Sequence, residues 1–169
     1  MSEVTIRGYQ PVDLEPCRAL WVELTQRHRE IYDDPTIGGD APGLYFDKHL
    51  ERVGPERLWV AEHDGKVVGL VGLIVGSHEA EVEPVVVASG QRDKGIGQAM
   101  LYRMVEEARA LGVRYLSVKP VARNVEAISF YYNFGFRTLG EIEMFIDLGT
   151  PAPSTWKPGP ELFGYIFEY

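Results

Sequence analysis

The chain has 169 residues, of which 45% are hydrophobic, and it carries a formal net charge of −8. This length supports one globular domain over residues 1–169 and leaves little room for two. The acidic balance argues against nucleic acid and against an anionic membrane as general partners, and it mildly favours a cationic partner.

The sequence indicates no export signal, membrane span or metal site. The N-terminal segment lacks a basic stretch followed by an apolar one, and the longest apolar run, residues 67–75, is too short to cross a bilayer. A single cysteine, Cys17, precludes an internal disulfide, and the four histidines lack the spacing of metal ligands. We therefore expect a cytoplasmic protein without a bound metal.

The first third of the chain predicts one strand and two helices. Residues 4–9 predict a short strand, and Asp13 is a candidate cap for the helix that follows it. An apolar stripe at helical spacing over residues 14–31 predicts that helix. Turn-forming residues fill 32–43, and residues 44–50 predict a short second helix.

The middle of the chain predicts a hairpin and a further strand. Residues 58–62 and 66–75 flank Asp64-Gly65, which is a favoured pair for a type I′ turn, so these two runs are expected to pair as a hairpin. Residues 79–87 predict the next strand.

The remaining elements alternate between helix and strand. In chain order they are a helix from Gly97, a strand at residues 115–119, a helix at 126–134, a strand at 141–148, a proline-rich loop at 149–160, and a final strand at 162–169 that pairs antiparallel with the preceding strand. This order of elements indicates a mixed α/β sheet.

The segment that joins the valine-rich strand to the following helix is a candidate phosphate site. It reads Gln-Arg-Asp-Lys-Gly-Ile-Gly over residues 91–97. Gly95 and Gly97 remove the Cβ atoms that would block close approach, and the helix N-terminus offers N–H groups and a partial positive charge. A Walker A loop and a Rossmann fingerprint are both excluded, because no Lys-Ser/Thr follows the last glycine and Met100 stands where a small residue is needed. An ordinary strand-to-helix turn is the alternative reading of this segment alone.

Two motifs together resemble one enzyme family. The Arg-x-x-Gly-x-Gly arrangement from Arg92 resembles the acetyl-CoA-binding motif of the GNAT superfamily of N-acetyltransferases. Residues 124–136 are similar to the family's Asn-x-x-Ala-x-x-Φ-Tyr-x-x-x-Gly-Phe segment at every marked position. The resemblance implies an α/β (α+β) three-layer fold with a mixed central sheet of about seven strands, flanked by helices and splayed at the fourth strand.

The resemblance also implies direct transfer of an acetyl group from acetyl-CoA to a primary amine. Backbone groups of the fourth strand would pair with the pantetheine amides, and the turn after it would hold the pyrophosphate. The cofactor-binding residues implied are Val85, Val86, Val87, Arg92, Asp93, Lys94, Gly95, Ile96, Gly97, Gln98, Asn124, Ala127, Phe130 and Tyr131.

The reaction needs a base, because an alkylammonium is neutral in only roughly one molecule per thousand at pH 7. Glu79, Glu81 and Glu83 alternate along a strand and should project to one face. The resemblance places the base at Glu81 or Glu83, often acting through water, and we rank Glu83 first. A solvated polar face is the alternative for these carboxylates.

The resemblance assigns Tyr131 as the acid that protonates the departing thiolate. Without the motif, Tyr131 would be interpreted as a core aromatic residue.

The acceptor is indicated only by charge. Asp33, Asp34 and Asp40 in the acidic loop, together with Trp156, are candidate substrate-binding residues, because in the family such segments border the acceptor pocket. Clustered carboxylates favour a cationic acceptor: a small polyamine or aminoglycoside-like amine, an amino acid, or a protein amine. The alternative to acceptor binding is that the loop aspartates are solvated residues that form turns.

Other interpretations stay open beside this one. A catalytically inactive acyl-CoA-binding sensor or regulatory module would have the same fold, although it would not need acid and base together. A homodimer also stays open. We interpret Cys17 as a small core hydrophobe, His28 as a half-buried packing residue, and His49 and His78 as surface residues.

Overall fold

The computed structural model describes residues 4–146, 148–149 and 156–169. The chain divides into two compact units, Met1–Lys119 and Pro120–Tyr169. In chain order the elements are β1 Thr5–Gly8, α1 Leu14–Tyr32, α2 Leu44–Val53, β2 Leu58–His63, β3 Lys66–Val75, β4 Glu79–Val87, α3 Ile96–Ala110, β5 Tyr115–Ser117, α4 Val125–Phe134, β6 Pro158–Leu162 and β7 Tyr165–Glu168.

The first unit is built on a five-stranded mixed sheet in the order β1-β2-β3-β4-β5. Strands β1 to β4 pair antiparallel with their neighbours, and β5 pairs parallel with β4. The predicted hairpin of β2 and β3 is confirmed, with Asp64 and Gly65 at φ 52° and 71° as a type I′ turn requires. The predicted mixed α/β sheet is likewise confirmed.

Helices cover both faces of this sheet. A buried cluster joins α1 and α2 to the strands through Cys17, Leu20, Phe46, Leu58, Val60, Leu70 and Val86. Gly69 neighbours Leu70 and so faces the opposite side of the pleat. A Cβ added at Gly69 would lie 3.0 Å from Met100 Sδ of α3. The α1–α2 pair and α3 therefore pack on opposite faces of the sheet.

Strand β4 is irregular in two ways that matter for function. It pairs with β5 only from Glu79 to Glu81, and among the described residues no further strand pairing is present along that edge. It also bulges, because Val82 pairs with Leu73 and Val85 pairs with Val71, which leaves one extra residue on β4. The sheet thus opens at its fourth strand.

Gly72 of β3 makes room for this bulge. A Cβ at that position would clash with the carbonyl oxygen of Glu83 and would lie 2.8 Å from Leu58 Cδ2. The glycine is needed here for close approach of two backbones, because the space beside it is already filled.

The second unit contains α4 and a two-stranded antiparallel sheet of β6 and β7. Phe163 and Gly164, at φ 56° and 81°, turn the chain between these strands. The predicted final strand therefore pairs antiparallel, but its partner is the stretch at residues 158–162, which was expected to belong to the proline-rich loop.

The expected fold is present, with a difference in strand number: among the described residues the central sheet has five strands, and two further strands form a separate sheet. The predicted strand at residues 141–148 is absent from its described part, and Asp147 lies outside the described residues. Ile142, Met144, Ile146 and Leu148 alternate in sequence but are all exposed, so no pairing partner or buried face supports a strand. Within the described ranges, no helix has both the length and the hydropathy needed to cross a bilayer.

Candidate functional site

The N-terminus of α3 presents unused backbone donors. Gly95 is the N-cap in the left-handed region at φ 78°, and it provides no side-chain cap. The first helical hydrogen bond runs from Ala99 N to Gly95 O at 2.9 Å. The N–H groups of Ile96, Gly97 and Gln98 therefore lack helical acceptors and are available to an anion.

The side chains of the turn before α3 fold back on the turn itself. Arg92 Nε donates to Val87 O at 3.3 Å, and Lys94 Nζ donates to Gln91 Oε1 at 2.9 Å. Asp93 adopts φ 60°, so the turn uses the left-handed region twice in three residues, at Asp93 and at Gly95. The two cations stay exposed beside the helix N-terminus, where they add positive charge to the anion site.

A carboxylate from α1 also fixes this turn. Glu23 Oε2 accepts a hydrogen bond from Ser89 N at 2.8 Å, across 66 positions of sequence. Sequence analysis did not point to Glu23, because nothing local distinguishes it from other exposed helix glutamates. The contact ties the turn to the helix layer on the other side of β4.

The open edge of β4 lies directly before this turn. Val86 packs its side chain into the core, whereas Val85 and Val87 are half-buried. Backbone groups along an edge without a partner strand can pair with an extended ligand that carries amides. The β4 edge and the α3 N-terminus are therefore adjacent candidate contacts for one long anionic molecule.

The two candidate bases of β4 have different partners. Glu81 Oε2 is 2.6 Å from Lys119 Nζ, and the lysine side chain is 73% exposed. Glu83 Oε1 accepts from Arg52 Nη2 of α2 at 3.0 Å. Glu79, the third carboxylate of the series, is exposed. The glutamates thus alternate as expected, but each sits in its own electrostatic environment.

Helix α2 places His49 beside Glu83, and the prediction of a surface histidine is wrong. His49 is buried, its ring centroid is 5.1 Å from that of Trp21, and its Nδ1 is 3.9 Å from Glu83 Oε1. Burial lowers the pKa of His49, and Arg52 lowers it further while Glu83 raises it. The spacing of Phe46, His49 and Val53 is that of one helix face, and this signal could have revealed the buried position.

The acidic loop between α1 and α2 is organised by its own contacts. Asp33 ends α1 in the left-handed region at φ 53°. Asp34 accepts from Thr36 N at 2.8 Å and from Thr36 Oγ1 at 2.6 Å, and these bonds hold the pKa of Asp34 below its usual value. Asp40 is exposed. Asp33 and Asp34 therefore shape the loop whether or not they also attract an acceptor.

In the second unit, α4 carries the second motif. Asn124 Oδ1 accepts from Ala127 N at 3.1 Å and so caps the helix. The ring of Tyr131 packs 5.3 Å from that of Phe130 and 5.9 Å from that of Phe136. Burial raises the pKa of Tyr131 to about 12, so its hydroxyl is protonated at neutral pH.

Trp156 belongs to an aromatic cluster of the same unit. The buried Arg123 guanidinium lies 5.9 Å from the rings of Trp156 and Tyr169, and the Trp156 ring lies 5.3 Å from that of Phe145. Arg123 was not singled out from the sequence, although it directly precedes the motif asparagine. Packing of this kind gives Trp156 a structural role.

Comparison with known proteins identifies the family of this chain. The sequence profile of the acetyltransferase (GNAT) family matches residues 20–136, which include both motifs. The chain belongs to the GNAT acetyltransferase family.

Individual GNAT proteins resemble it at moderate identity. N-acetyltransferase 8 of Rattus norvegicus is 28% identical over 116 residues, which cover 65% of this chain and 49% of that protein. Ard1 from Thermoplasma volcanium has a TM-score of 0.65 and 26% identity, covering 81% of this chain and 84% of Ard1. AAC(6')-Iy, solved with a bisubstrate analogue of CoA, has a TM-score of 0.62 and 15% identity, covering 86% of this chain and 99% of AAC(6')-Iy. The chain spans about half the length of the curated relatives it matches.

The residues of the first unit fit the cofactor that GNAT membership implies, acetyl-CoA. A pyrophosphate needs backbone N–H donors that no capping side chain already occupies. The N-terminus of α3 offers such donors, because its N-cap residue is a glycine. A pantetheine arm with two amides needs an unpaired strand edge, and within the described residues β4 has no partner beyond Glu81 on the side of β5.

Proposed function

We propose that this chain is an acetyl-CoA-dependent N-acetyltransferase that transfers the acetyl group directly to a primary amine of a cationic acceptor. The observation that carries the proposal is the uncapped N-terminus of α3 placed immediately after the open edge of β4. Together these features supply the two kinds of contact that an extended nucleotide thioester needs.

The cofactor is held mainly by backbone. Val85 and Val87 pair with the pantetheine amides, and the N–H groups of Ile96, Gly97 and Gln98 hold the pyrophosphate. Arg92 and Lys94 supply positive charge from the exposed side of the turn, after releasing the carbonyl and amide oxygens that they now contact.

The base is Glu83, which takes the ammonium proton directly or through a water molecule. The freed amine nitrogen forms a bond to the thioester carbonyl carbon, and the bond between that carbon and sulfur breaks. Tyr131 donates its proton to the departing sulfur, and the nitrogen loses its second proton as the amide forms. Tyr131 recovers that proton directly or through solvent, while Glu83 releases the first proton to solvent. The hydroxyl of Tyr131 starts each cycle protonated, as a general acid must.

The acceptor carries positive charge beyond its reacting amine. The candidates are a polyamine, an aminoglycoside-like amine, an amino acid with a basic side chain, and a protein amine with basic residues beside it. Support comes from the net charge of −8 and from the aspartates between α1 and α2. Asp33, Asp34, Asp40 and Trp156 are the residues we propose near this acceptor.

The direct test is release of free CoA from acetyl-CoA in the presence of single amines: spermidine, kanamycin, lysine and a lysine-containing peptide. Acetyl transfer to any of them supports the enzyme. Tight calorimetric binding of acetyl-CoA without turnover of any amine in a broad panel favours instead the acyl-CoA sensor, whose fold would be the same.

The base assignment has its own test. Glu83→Gln should lower kcat/KM at pH 7 by about a hundredfold and flatten its rise with pH, because no group is left to collect the ammonium proton. Glu79→Gln is the matched control on the same strand, and Glu81→Gln tests the second candidate. A pH profile unaltered in Glu83→Gln, Glu81→Gln and the double variant would leave deprotonation to bulk water.

A further inference from the structure

One nitrogen of Arg52 joins two acceptors. Arg52 Nη2 lies 3.0 Å from Glu83 Oε1 and 3.2 Å from His49 Nδ1. This nitrogen carries two hydrogens, so it can donate to both acceptors at once. Arg52 and His49 are separated by one turn of α2, which explains how the helix brings them to the same carboxylate.

The contact between Arg52 and His49 is a hydrogen bond in one tautomer of the ring. A guanidinium can only donate, so Nδ1 accepts when the ring proton is on Nε2. Burial lowers the pKa of His49 and so favours a neutral ring. Within the described part of the chain, Nε2 is buried and has no hydrogen-bond partner.

A buried donor without a partner calls for an explanation, because it lowers stability. Leucine or phenylalanine at position 49 would fill the space beside Trp21 and Phe46 without burying an unpartnered N–H. What a histidine adds at this place is the Nδ1 acceptor for Arg52.

We propose that His49 and Arg52 are positioning residues of the reaction: His49 Nδ1 orients the Arg52 guanidinium, which holds the Glu83 carboxylate by one oxygen. This inference rests on the proposed role of Glu83 as the base. The guanidinium contact goes to Oε1, so Oε2 is the oxygen that takes the proton of the amine or of the water beside it.

The contrast with Glu81 supports this assignment. Glu81 is paired with Lys119, whose side chain is largely exposed and ends in a single rotatable ammonium. Glu83 is held by a planar guanidinium that is itself anchored on a buried ring. Burial does not favour Glu83, since its side chain is 41% exposed and that of Glu81 is 19% exposed. What distinguishes Glu83 is a planar donor that also contacts the buried His49 ring.

The first test needs no acceptor. In nitrogen-15 NMR spectra of the full chain, with the His49 signals identified by their loss in His49→Asn, the ring should be the neutral Nε2–H tautomer at pH 7. Arg52→Gln should remove the tautomer preference and raise the pKa of His49, because the cation that disfavours its protonation is gone. Lys48→Gln, which removes an exposed charge from the same helix, should change neither. A His49 ring that is charged at pH 7, or one unaffected by Arg52→Gln, would overturn the proposal.

The second test is kinetic, with acetyl-CoA and the panel amine that turns over fastest. His49→Leu and Arg52→Gln should each lower kcat by about tenfold and leave the Kd of acetyl-CoA unchanged, since neither residue reaches the phosphate turn. His49→Asn keeps an acceptor oxygen near the position of Nδ1 and should restore most of kcat. Arg52 is exposed, so its variant keeps the test valid if His49→Leu fails to fold.

A double-variant cycle separates this inference from the base assignment. In a Glu83→Gln background, Arg52→Gln should cause no further loss of kcat, because there is no carboxylate left to position. Additive losses would overturn the positioning role while leaving Glu83 as the base. No effect of Glu83→Gln alone would overturn the base assignment itself, and the positioning role with it.

Discussion

Tyr131 shows how local packing prepares a single side chain for its proposed chemistry. Its ring lies among Phe130 and Phe136, and this burial raises its pKa to about 12. The hydroxyl is therefore a reliable donor at neutral pH, and it becomes useful only when charge develops on sulfur.

Replacing this hydroxyl should affect the chemical step alone. We expect Tyr131→Phe to lower kcat by about a hundredfold with little change in the calorimetric Kd of acetyl-CoA. Tyr132→Phe is the control, because Tyr132 is exposed on the same helix. Equal turnover by wild type and Tyr131→Phe would show that Tyr131 is only a packing residue.

The partners of individual side chains were the feature that the sequence did not reveal. Asp13 stands at the N-cap of α1 as predicted, but its carboxylate makes no cap bond and accepts instead from Arg7 at 2.7 and 2.9 Å and from Gln10 N at 2.8 Å. His49 was expected at the surface, and its contacts with Trp21 and Glu83 lie on other elements. Spacing along the chain can indicate the buried face of a helix, but it does not identify the side chains that a residue contacts.

At the scale of elements, the bulge of β4 depends on a glycine in the neighbouring strand. Gly72→Ala should lower the free energy of unfolding by about 1–3 kcal/mol, since its Cβ would clash with backbone rather than with a flexible side chain. The displaced Glu83 should also move away from Arg52, so kcat should fall as well. Chemical denaturation and steady-state kinetics measure the two effects.

Gly8→Ala is the matched control for that substitution. Gly8 also lies in a strand of the sheet, but a Cβ there would meet no atom within 4 Å. Its stability should change by no more than about 0.5 kcal/mol. Equal stability of wild type and Gly72→Ala would mean that the bulge adapts without cost.

The start of α3 gives a second prediction at this scale. Gly97→Val should raise the Kd of acetyl-CoA about tenfold, because a branched side chain would crowd the N–H groups that we propose as the pyrophosphate site. Glu106→Val, at an exposed position in the same helix, controls for the helix propensity of valine. Unchanged calorimetric affinity in folded Gly97→Val would exclude this turn as the phosphate site.

Elements marked by a strong pattern in their own residues could be predicted from the sequence. Strands that depend on pairing with a neighbouring strand could not. Helices α1, α3 and α4 and the hairpin of β2 and β3 follow from periodicity and from the Asp64-Gly65 pair. The alternation at residues 141–148 was misleading, because a strand also needs a neighbour and a buried face. The two motifs could be recognised because each is continuous in sequence, and the cofactor contacts assigned to them stay predictions.

At the scale of the whole molecule, the net charge of −8 sets the long-range field that an acceptor meets. We expect the KM of the preferred acceptor to rise as ionic strength increases from about 0.1 M to about 1 M, over which the screening length falls from about 10 Å to about 3 Å. A monoamine without further charge is the control, and its KM should rise less. Fastest turnover with an acidic or neutral amine, or a KM indifferent to salt, would reject a polycationic acceptor while leaving acetyl transfer intact.

The short pairing of β4 with β5 has a consequence for handling the protein. A strand edge with unused donors and acceptors is also a template for a strand from another molecule, which is how sheet proteins begin to aggregate. A ligand lying along this edge would occupy its donors and acceptors and so protect it from pairing with another molecule. Solutions of the protein should therefore scatter less light on prolonged storage when CoA is present, because the strand edge that we propose to bind CoA is the same surface that promotes self-association.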